Sequence, residues 1–78
     1  MSAEITLDQL PVGHSATVRS LIFTGNKRRR MQDIGFIPGT SVTALHQSPW
    51  GDIVAYGIRG AVVALRQEDA ALITIARK

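Results

Sequence analysis

Apolar residues recur along this chain in short segments that turn-forming residues separate. Segments rich in Val, Ile and Ala occupy residues 16–22, 41–47, 53–58, 61–66 and 72–76. Lengths of five to seven residues are typical of β-strands. The last segment alternates between faces, as a half-buried strand does. The pattern predicts five short strands.

The residues between these segments have the chemistry of specific turns. "LPVG" at 10–13 and "SPWG" at 48–51 place Pro second and Gly fourth, which favours a type I turn. "IPGT" at 37–40 places Gly third, where a type II turn needs a positive φ. Arg59 and Gly60 stand alone between two apolar segments and predict a tight hairpin.

One predicted strand presents apolar residues on both faces. In "SVTALHQ", Val42 and Ala44 share a face while Leu45 points the other way. Mixed faces of this kind indicate a strand that bends around a small barrel and buries opposite sides at its two ends.

Two segments depart from the strand pattern. Residues 26–35 carry Met31 and Ile34 at helical spacing, and Gly35 is well placed to end a short helix. In residues 67–71 ("QEDAA"), Glu68 and Asp69 favour the start of a single helical turn before the last strand.

The predicted fold is therefore mainly β. It is a small, partly open SH3-like barrel of about five strands, with one short helix after the first strand and a helical turn before the last. With no internal repeat and no linker, we expect residues 1–78 to form a single domain.

Charge is concentrated in one place. The chain of 78 residues carries a net charge of +3, with nine Lys and Arg against six Asp and Glu. Without Lys27, Arg28, Arg29 and Arg30, five cations face six acids. Nucleic-acid binders usually spread their cations over a face, so this balance argues weakly against nucleic acid.

Composition also bears on the compartment. The chain has no cysteine, no signal-peptide pattern and no apolar run near the ~20 residues of a membrane-spanning helix. A cytosolic protein without membrane insertion is the expectation.

Three stretches carry a resemblance to a known family: "RRRMQDIGFIPGT", "SPWGD" and "VVALRQEDAALITI". In this order and spacing they resemble the ferrous iron transport protein A (FeoA) family, from about residue 5 to 76. Met31 stands where the family often has Leu. Ile53 stands where it commonly has Pro, which leaves that turn less constrained. The other matching positions are Ile34, Gly35, Phe36, Pro38, Gly39, Pro49, Gly51, Asp52, Leu65, Arg66, Asp69 and Ala70.

The resemblance implies a cytosolic, non-catalytic accessory protein of ferrous iron uptake. Its implied partner is FeoB, the membrane-embedded ferrous iron transporter with a cytosolic G-protein domain. It implies an SH3-like fold and no cofactor. A small-barrel nucleic-acid-binding or metal-regulator-like SH3 domain is the alternative, and a homo-oligomer is left open.

The residues themselves offer little for catalysis or metal binding. No nucleophile elbow or phosphate-binding loop occurs, so an enzyme is not expected. His14 and His46 stand far apart in a chain without cysteine, and they form no recognisable ligand set. We predict no metal ligands and place both histidines at the surface or in turns.

The predicted partner-binding residues are Lys27, Arg28, Arg29, Arg30 and Trp50. Cations near a helix N-terminus oppose its dipole, so local helix stability does not explain the four. They are solvated side chains or face an acidic partner surface, and nucleic acid or a membrane surface is a further alternative. Trp50, between Pro and Gly, is either an exposed interface anchor or the residue that closes one barrel end.

Overall fold

A computed structural model of the chain describes residues 4–77. Within this range there are six strands, one α-helix of ten residues and one single-turn helix. A 3-10 turn over Leu7–Gln9 follows the first strand. The strands are β1 (Glu4–Thr6), β2 (Ser15–Leu21), β3 (Ser41–Gln47), β4 (Ile53–Ile58), β5 (Ala61–Arg66) and β6 (Ile73–Arg77); the helices are α1 (Gly25–Ile34) and α2 (Gln67–Ala70).

All six strands belong to one antiparallel sheet in the order β1-β6-β2-β3-β4-β5. The register of β3 with β4 shifts between Ala44 and His46, and that of β2 with β6 shifts between Val18 and Ser20. Such bulges bend a strand and increase its twist. The five predicted strands, the helix after the first of them and the final helical turn are all present.

The sequence pattern missed β1, of which three residues are described, the first of them an acid, Glu4. Acids are depleted in strands, so the local signal is weak. Tertiary contacts hold β1 instead: Ile5 packs against the core, and the Glu4 carboxylate accepts from Arg19 Nε at 3.2 Å. The prediction of about five strands therefore becomes six.

Three of the four predicted turns form as expected. In the turn over 37–40, Thr40 N–H donates to the Ile37 carbonyl oxygen, and Gly39 has a φ of 96°. In the turn over 48–51, Gly51 N–H donates to the Ser48 carbonyl oxygen at 2.9 Å. The Arg59–Gly60 hairpin has positive φ at both residues, 51° and 79°.

The remaining turn lies one residue later than predicted. His14 N–H donates to the Pro11 carbonyl oxygen at 3.1 Å, because Gly13 N–H donates to Ala44 of β3 at 2.7 Å. The predicted position of this turn, residues 10–13, was therefore wrong by one residue.

One apolar core fills the space that the sheet encloses, and Phe36 and Tyr56 lie in it as large, fully buried rings. The Tyr56 hydroxyl donates to the Leu7 carbonyl oxygen at 3.3 Å. This bond ties β4 to the 3-10 turn after β1. The buried core residues are Leu7, Leu10, Ala16, Val18, Leu21, Phe23, Met31, Phe36, Val42, Ala44, Val54, Tyr56, Ile58, Leu65, Ala70, Ile73 and Ile75.

Helix α1 occupies the connection between β2 and β3 and contributes little to this core. Met31 is its one buried residue, and Ile34 is half-buried against the cluster. Gly35, at φ 129°, ends the helix, as the sequence predicts. Residues 25–30 are exposed, so the basic half of the helix faces outward.

A candidate partner-binding surface

The structure separates the four consecutive cations of α1 into two pairs. Lys27 and Arg28 have partners within the fold. The guanidinium groups of Arg29 and Arg30 make no hydrogen bond or ion pair with any residue from 4 to 77. The run therefore does not act as a single uniform patch.

Lys27 joins α1 to the helical turn α2. Its Nζ lies 2.7 Å from Asp69 Oδ1 and 5.6 Å from the centre of the Phe23 ring. The lysine side chain is about half exposed, so the ion pair is worth at most about 1 kcal/mol. The main effect of this ion pair is to place the start of α1 beside α2.

Arg28 supports the chain that leads into its own helix. Its Nη1 donates to the carbonyl oxygen of Leu21 at 2.9 Å, and the Phe23 carbonyl lies at 3.5 Å. These carbonyls belong to the end of β2 and the link that follows it. Arg28 thus supplies a side-chain donor to carbonyl groups at the end of β2 and in the link after it.

Trp50 lies at the tip of the β3–β4 turn with 90% of its surface exposed. It does not close an end of the barrel, which removes one of the two alternatives that its sequence position left open. The turn beneath it is well ordered by hydrogen bonds: Ser48 Oγ donates to Asp52 Oδ1 at 2.9 Å, and Gln47 Nε2 donates to the Gly51 carbonyl oxygen at 3.0 Å.

Ile53, at the family's Pro position, adds to this order. Its N–H donates to Ser48 Oγ at 3.3 Å, a bond that Pro could not make. Where a proline ring would restrict the backbone of this turn, the present chain has a hydrogen bond instead.

Contacts through α2 connect the Trp50 turn to α1. Gln67 N–H, at the start of α2, donates to the Asp52 carbonyl oxygen at 3.0 Å. Two residues later, Asp69 pairs with Lys27. We call Lys27, Arg28, Arg29, Arg30 and Trp50 together the basic-aromatic surface; α2 contacts both the turn that carries Trp50 and the helix that carries the cations.

An open groove of about 470 Å³ lies beside the Trp50 turn. It is lined by Asp52, Ile53, Arg66, Gln67 and Glu68. Two carboxylates and one guanidinium give it a net negative charge, and Ile53 supplies an apolar patch. The groove therefore suits an apolar or basic side chain, whereas an acidic partner residue fits α1.

One further cation escaped sequence analysis because it stands alone in a turn. The Arg59 guanidinium has no hydrogen-bond or ion-pair partner among residues 4–77, and its stem lies against Gly35 at the end of α1. Only the folded chain brings Arg59 to the helix, so no local signal could have revealed it.

The described part of the chain holds no cluster of side chains with the make-up of a metal site. Among residues 4–77, no group of three His, Cys, Asp or Glu side chains lies close enough to share a metal ion. His14 and His46 are both exposed, as expected. In the same range, no helix is long and apolar enough to span a membrane.

The fold and this surface define a class of protein: a small SH3-like barrel with an outward-facing basic helix and an exposed Trp turn. The sequence places it more narrowly. The FeoA domain model matches residues 5–77, so the chain belongs to the FeoA family.

A curated relative links the family to ferrous iron transport. It is the Fe(2+) transport protein A/Fe(2+) transporter FeoB fusion protein of Porphyromonas gingivalis, which is 35% identical to this chain over 69 residues. The match covers 88% of this chain but only 8% of the fusion protein.

Two solved structures have the same fold. The solution structure of FeoA from Chlorobium tepidum gives a TM-score of 0.88 at 29% identity, over 94% of this chain and 70% of that one. Stenotrophomonas maltophilia FeoA complexed with zinc gives a TM-score of 0.79 at 27% identity, over 91% and 88%. The latter is described as an SH3 domain protein and a candidate activating factor for ferrous iron transport.

Proposed function

We propose that this chain is a non-catalytic accessory protein of ferrous iron uptake that binds the cytosolic part of a FeoB-type transporter. The observation that carries the proposal is the Porphyromonas gingivalis relative, in which a matching domain and FeoB share one polypeptide. Fusion raises the effective concentration of two domains that act together. We propose that the FeoA domain of this chain makes the same association in the cytosol.

The basic-aromatic surface is the proposed contact. Trp50 is highly exposed on a turn held by hydrogen bonds, so a partner would cover it without first ordering the loop. Arg29 and Arg30 have no role in the described fold, which leaves both guanidinium groups free for carboxylates of a partner. Lys27 and Arg28 contribute mainly by positioning the helix that carries them.

The charge pattern also sets the expected manner of binding. Exposed guanidinium groups raise the association rate and orient the partner more than they lower the dissociation rate. We therefore expect the association rate to fall as salt concentration rises. The apolar contact of Trp50 should be much less sensitive to salt.

A binding titration tests the proposal directly. The purified cytosolic domain of the FeoB-type transporter from the same organism is titrated into the full chain, with Trp50 fluorescence and calorimetry as readouts. Binding should weaken at least about tenfold in the double variant Arg29→Glu/Arg30→Glu, because the reversed charges repel an acidic surface.

A charge-matched control separates the proposed site from net charge. The double variant Arg19→Glu/Arg77→Glu changes the total charge equally, but on β2 and β6. Because it removes the Arg19–Glu4 contact, circular dichroism first checks that the variant is folded. It should bind as the wild type does. Equal losses in both double variants would remove α1 from the interface. No binding by the wild type, together with tight salt-dependent binding to DNA or RNA, would overturn the proposed partner.

A further inference from the structure

Strand β5 forms one edge of the sheet and is long, regular and almost uncharged. It extends over six residues and pairs with β4 in an unbroken register from Ala61 to Arg66, without a bulge. It contains no proline, and its single charged residue is the last. Natural edge strands are commonly shortened, bulged or charged to prevent pairing with another chain. The opposite edge, β1, has three residues and begins with Glu4.

The outward face of β5 is apolar as well as accessible. Val62 is 69% exposed, and Ala64, two residues later on the same face, is also exposed. The neighbouring outward position on β4 is Gly57, over which the half-exposed Leu45 of β3 lies. An apolar strip that runs to an open sheet edge is typical of a surface that a further strand covers.

The hydrogen-bonding groups of β5 are available in a definite pattern. Gln67 N–H, just beyond the strand, donates to Asp52 on the β4 side. Neighbouring residues in a strand point their N–H and C=O groups to opposite sides. The backbone N–H and C=O groups of the odd-numbered residues of β5 therefore point to β4. The N–H and C=O groups of Val62 and Ala64 therefore point to the open edge.

We propose that two copies of this chain associate by antiparallel pairing of their β5 strands, centred on Val63. A two-fold axis perpendicular to the sheet keeps outward residues outward and puts Val62 of each copy opposite Ala64 of the other. The free backbone groups of these residues then satisfy one another. Each Val63 faces its own equivalent as a non-hydrogen-bonded pair, and no charged residues oppose each other between Ala61 and Leu65.

Charges at the two ends of β5 favour a second copy as the partner. Antiparallel pairing places the start of one strand beside the end of the other. The start follows Arg59, a cation without a partner among residues 4–77. The end adjoins the net-negative groove of Asp52, Arg66 and Glu68. At each end of the paired strands, Arg59 of one copy therefore lies near the net-negative groove of the other copy.

The pairing also limits assembly to two copies. The two-fold pairing uses the β5 edge of both chains, so neither of these edges remains open to a third copy. A contact of one strand pair is small beside the ~1,600 Å² of a standard interface. We therefore expect a dimer that dissociates on dilution.

Sedimentation velocity of the full chain between about 10 μM and 1 mM tests the proposal. The wild type should shift from the mass of one copy to that of two. Ala64→Pro should remain a monomer, because it removes a hydrogen-bond donor from the open edge while leaving the bonds to β4. Val62→Lys, which places a charge on the edge without a backbone change, should do the same. A wild type that stays monomeric at every concentration would overturn the proposal.

Cross-linking tests the register, since the natural chain has no cysteine. Val63→Cys brings two thiols to opposite positions, where the Cα atoms lie about 4.5 Å apart, within disulfide range. It should form a covalent dimer on oxidation at least about tenfold faster than Ser20→Cys, on the distant strand β2. Equal rates would contradict the pairing. Both measurements use this chain alone, so their failure is distinct from that of transporter binding.

Discussion

The aliphatic part of the Arg59 side chain lies against Gly35, at the point where α1 ends. A Cβ atom on Gly35 would stand 2.8 Å from Arg59 Cδ and 3.3 Å from Cγ. Gly35 also has a φ of 129°, a conformation that L side chains rarely adopt. The helix end and the β4–β5 hairpin therefore lie in contact, although they are far apart along the chain.

Gly35→Ala should lower the free energy of unfolding by about 2–3 kcal/mol, since it combines backbone strain with the contact to Arg59. Gly39→Ala is the matched control: its φ of 96° is also positive, but nothing lies within 4 Å of the added Cβ. It should cost about 1 kcal/mol. Urea denaturation of both variants gives the comparison. Equal losses would show that the Arg59 contact has no energetic effect.

Arg28 and Arg29 are neighbours of the same type with different expected roles. Arg28→Gln should lower stability by about 1 kcal/mol, because the carbonyl oxygen of Leu21 loses its donor. Arg29→Gln should change stability by less than about 0.5 kcal/mol, as for a surface substitution. Thermal and urea unfolding measure both. A loss at Arg29 as large as that at Arg28 would contradict the division of the basic run.

Tyr56 should make the protein less stable at high pH. Burial, with a smaller contribution from the Asp8 charge, raises the pKa of Tyr56 to about 12 from 10.0. Between these values the unfolded chain loses the phenolic proton while the folded chain keeps it, so stability falls as pH rises. The loss approaches about 2–3 kcal/mol by pH 12.

Tyr56→Phe is the control for this pH effect. It lacks the hydrogen bond to Leu7 and should be less stable at neutral pH. The difference between wild type and variant should shrink from pH 10 to 12 in urea titrations. A constant difference would mean that Tyr56 ionises equally in both states.

Trp50 should matter for binding and not for folding. Because its side chain is almost fully exposed, Trp50→Ala should leave the unfolding free energy within about 0.5 kcal/mol of the wild type. Iodide should quench the fluorescence of this single tryptophan freely in the isolated chain. Addition of the transporter's cytosolic domain should protect it. Unchanged quenching in a saturated complex would remove Trp50 from the contact.

Most of the fold could be predicted because its signals are local. Gly39 and Gly60 mark turns that need positive φ, and Gly35 marks the end of a helix. β1 was missed because three residues carry too little pattern. The displaced turn after Leu10 depends on Gly13 bonding to Ala44, a contact between residues far apart in sequence.

The candidate surface was less predictable for the same reason. Four adjacent cations look alike in sequence, and only the folded positions of Leu21 and Asp69 distinguish Arg28 and Lys27 from the rest. The exposure of Trp50 likewise depended on how its turn stands relative to the barrel. The sequence shows the charges and the aromatic ring, but it does not show which of these groups lack a partner in the folded chain.

The pairing of β1 with β6 has a consequence for rearranging the chain. Glu4 and Ala76 are Cα partners, so the described ends lie one strand spacing apart, about 5 Å. A linker of a few residues could join them, and new termini could open at the Arg59–Gly60 turn. Such a circular permutant would begin at β5, so a flexible tag fused to its N-terminus would obstruct the sheet edge while the amino-acid sequence of every strand stayed unchanged.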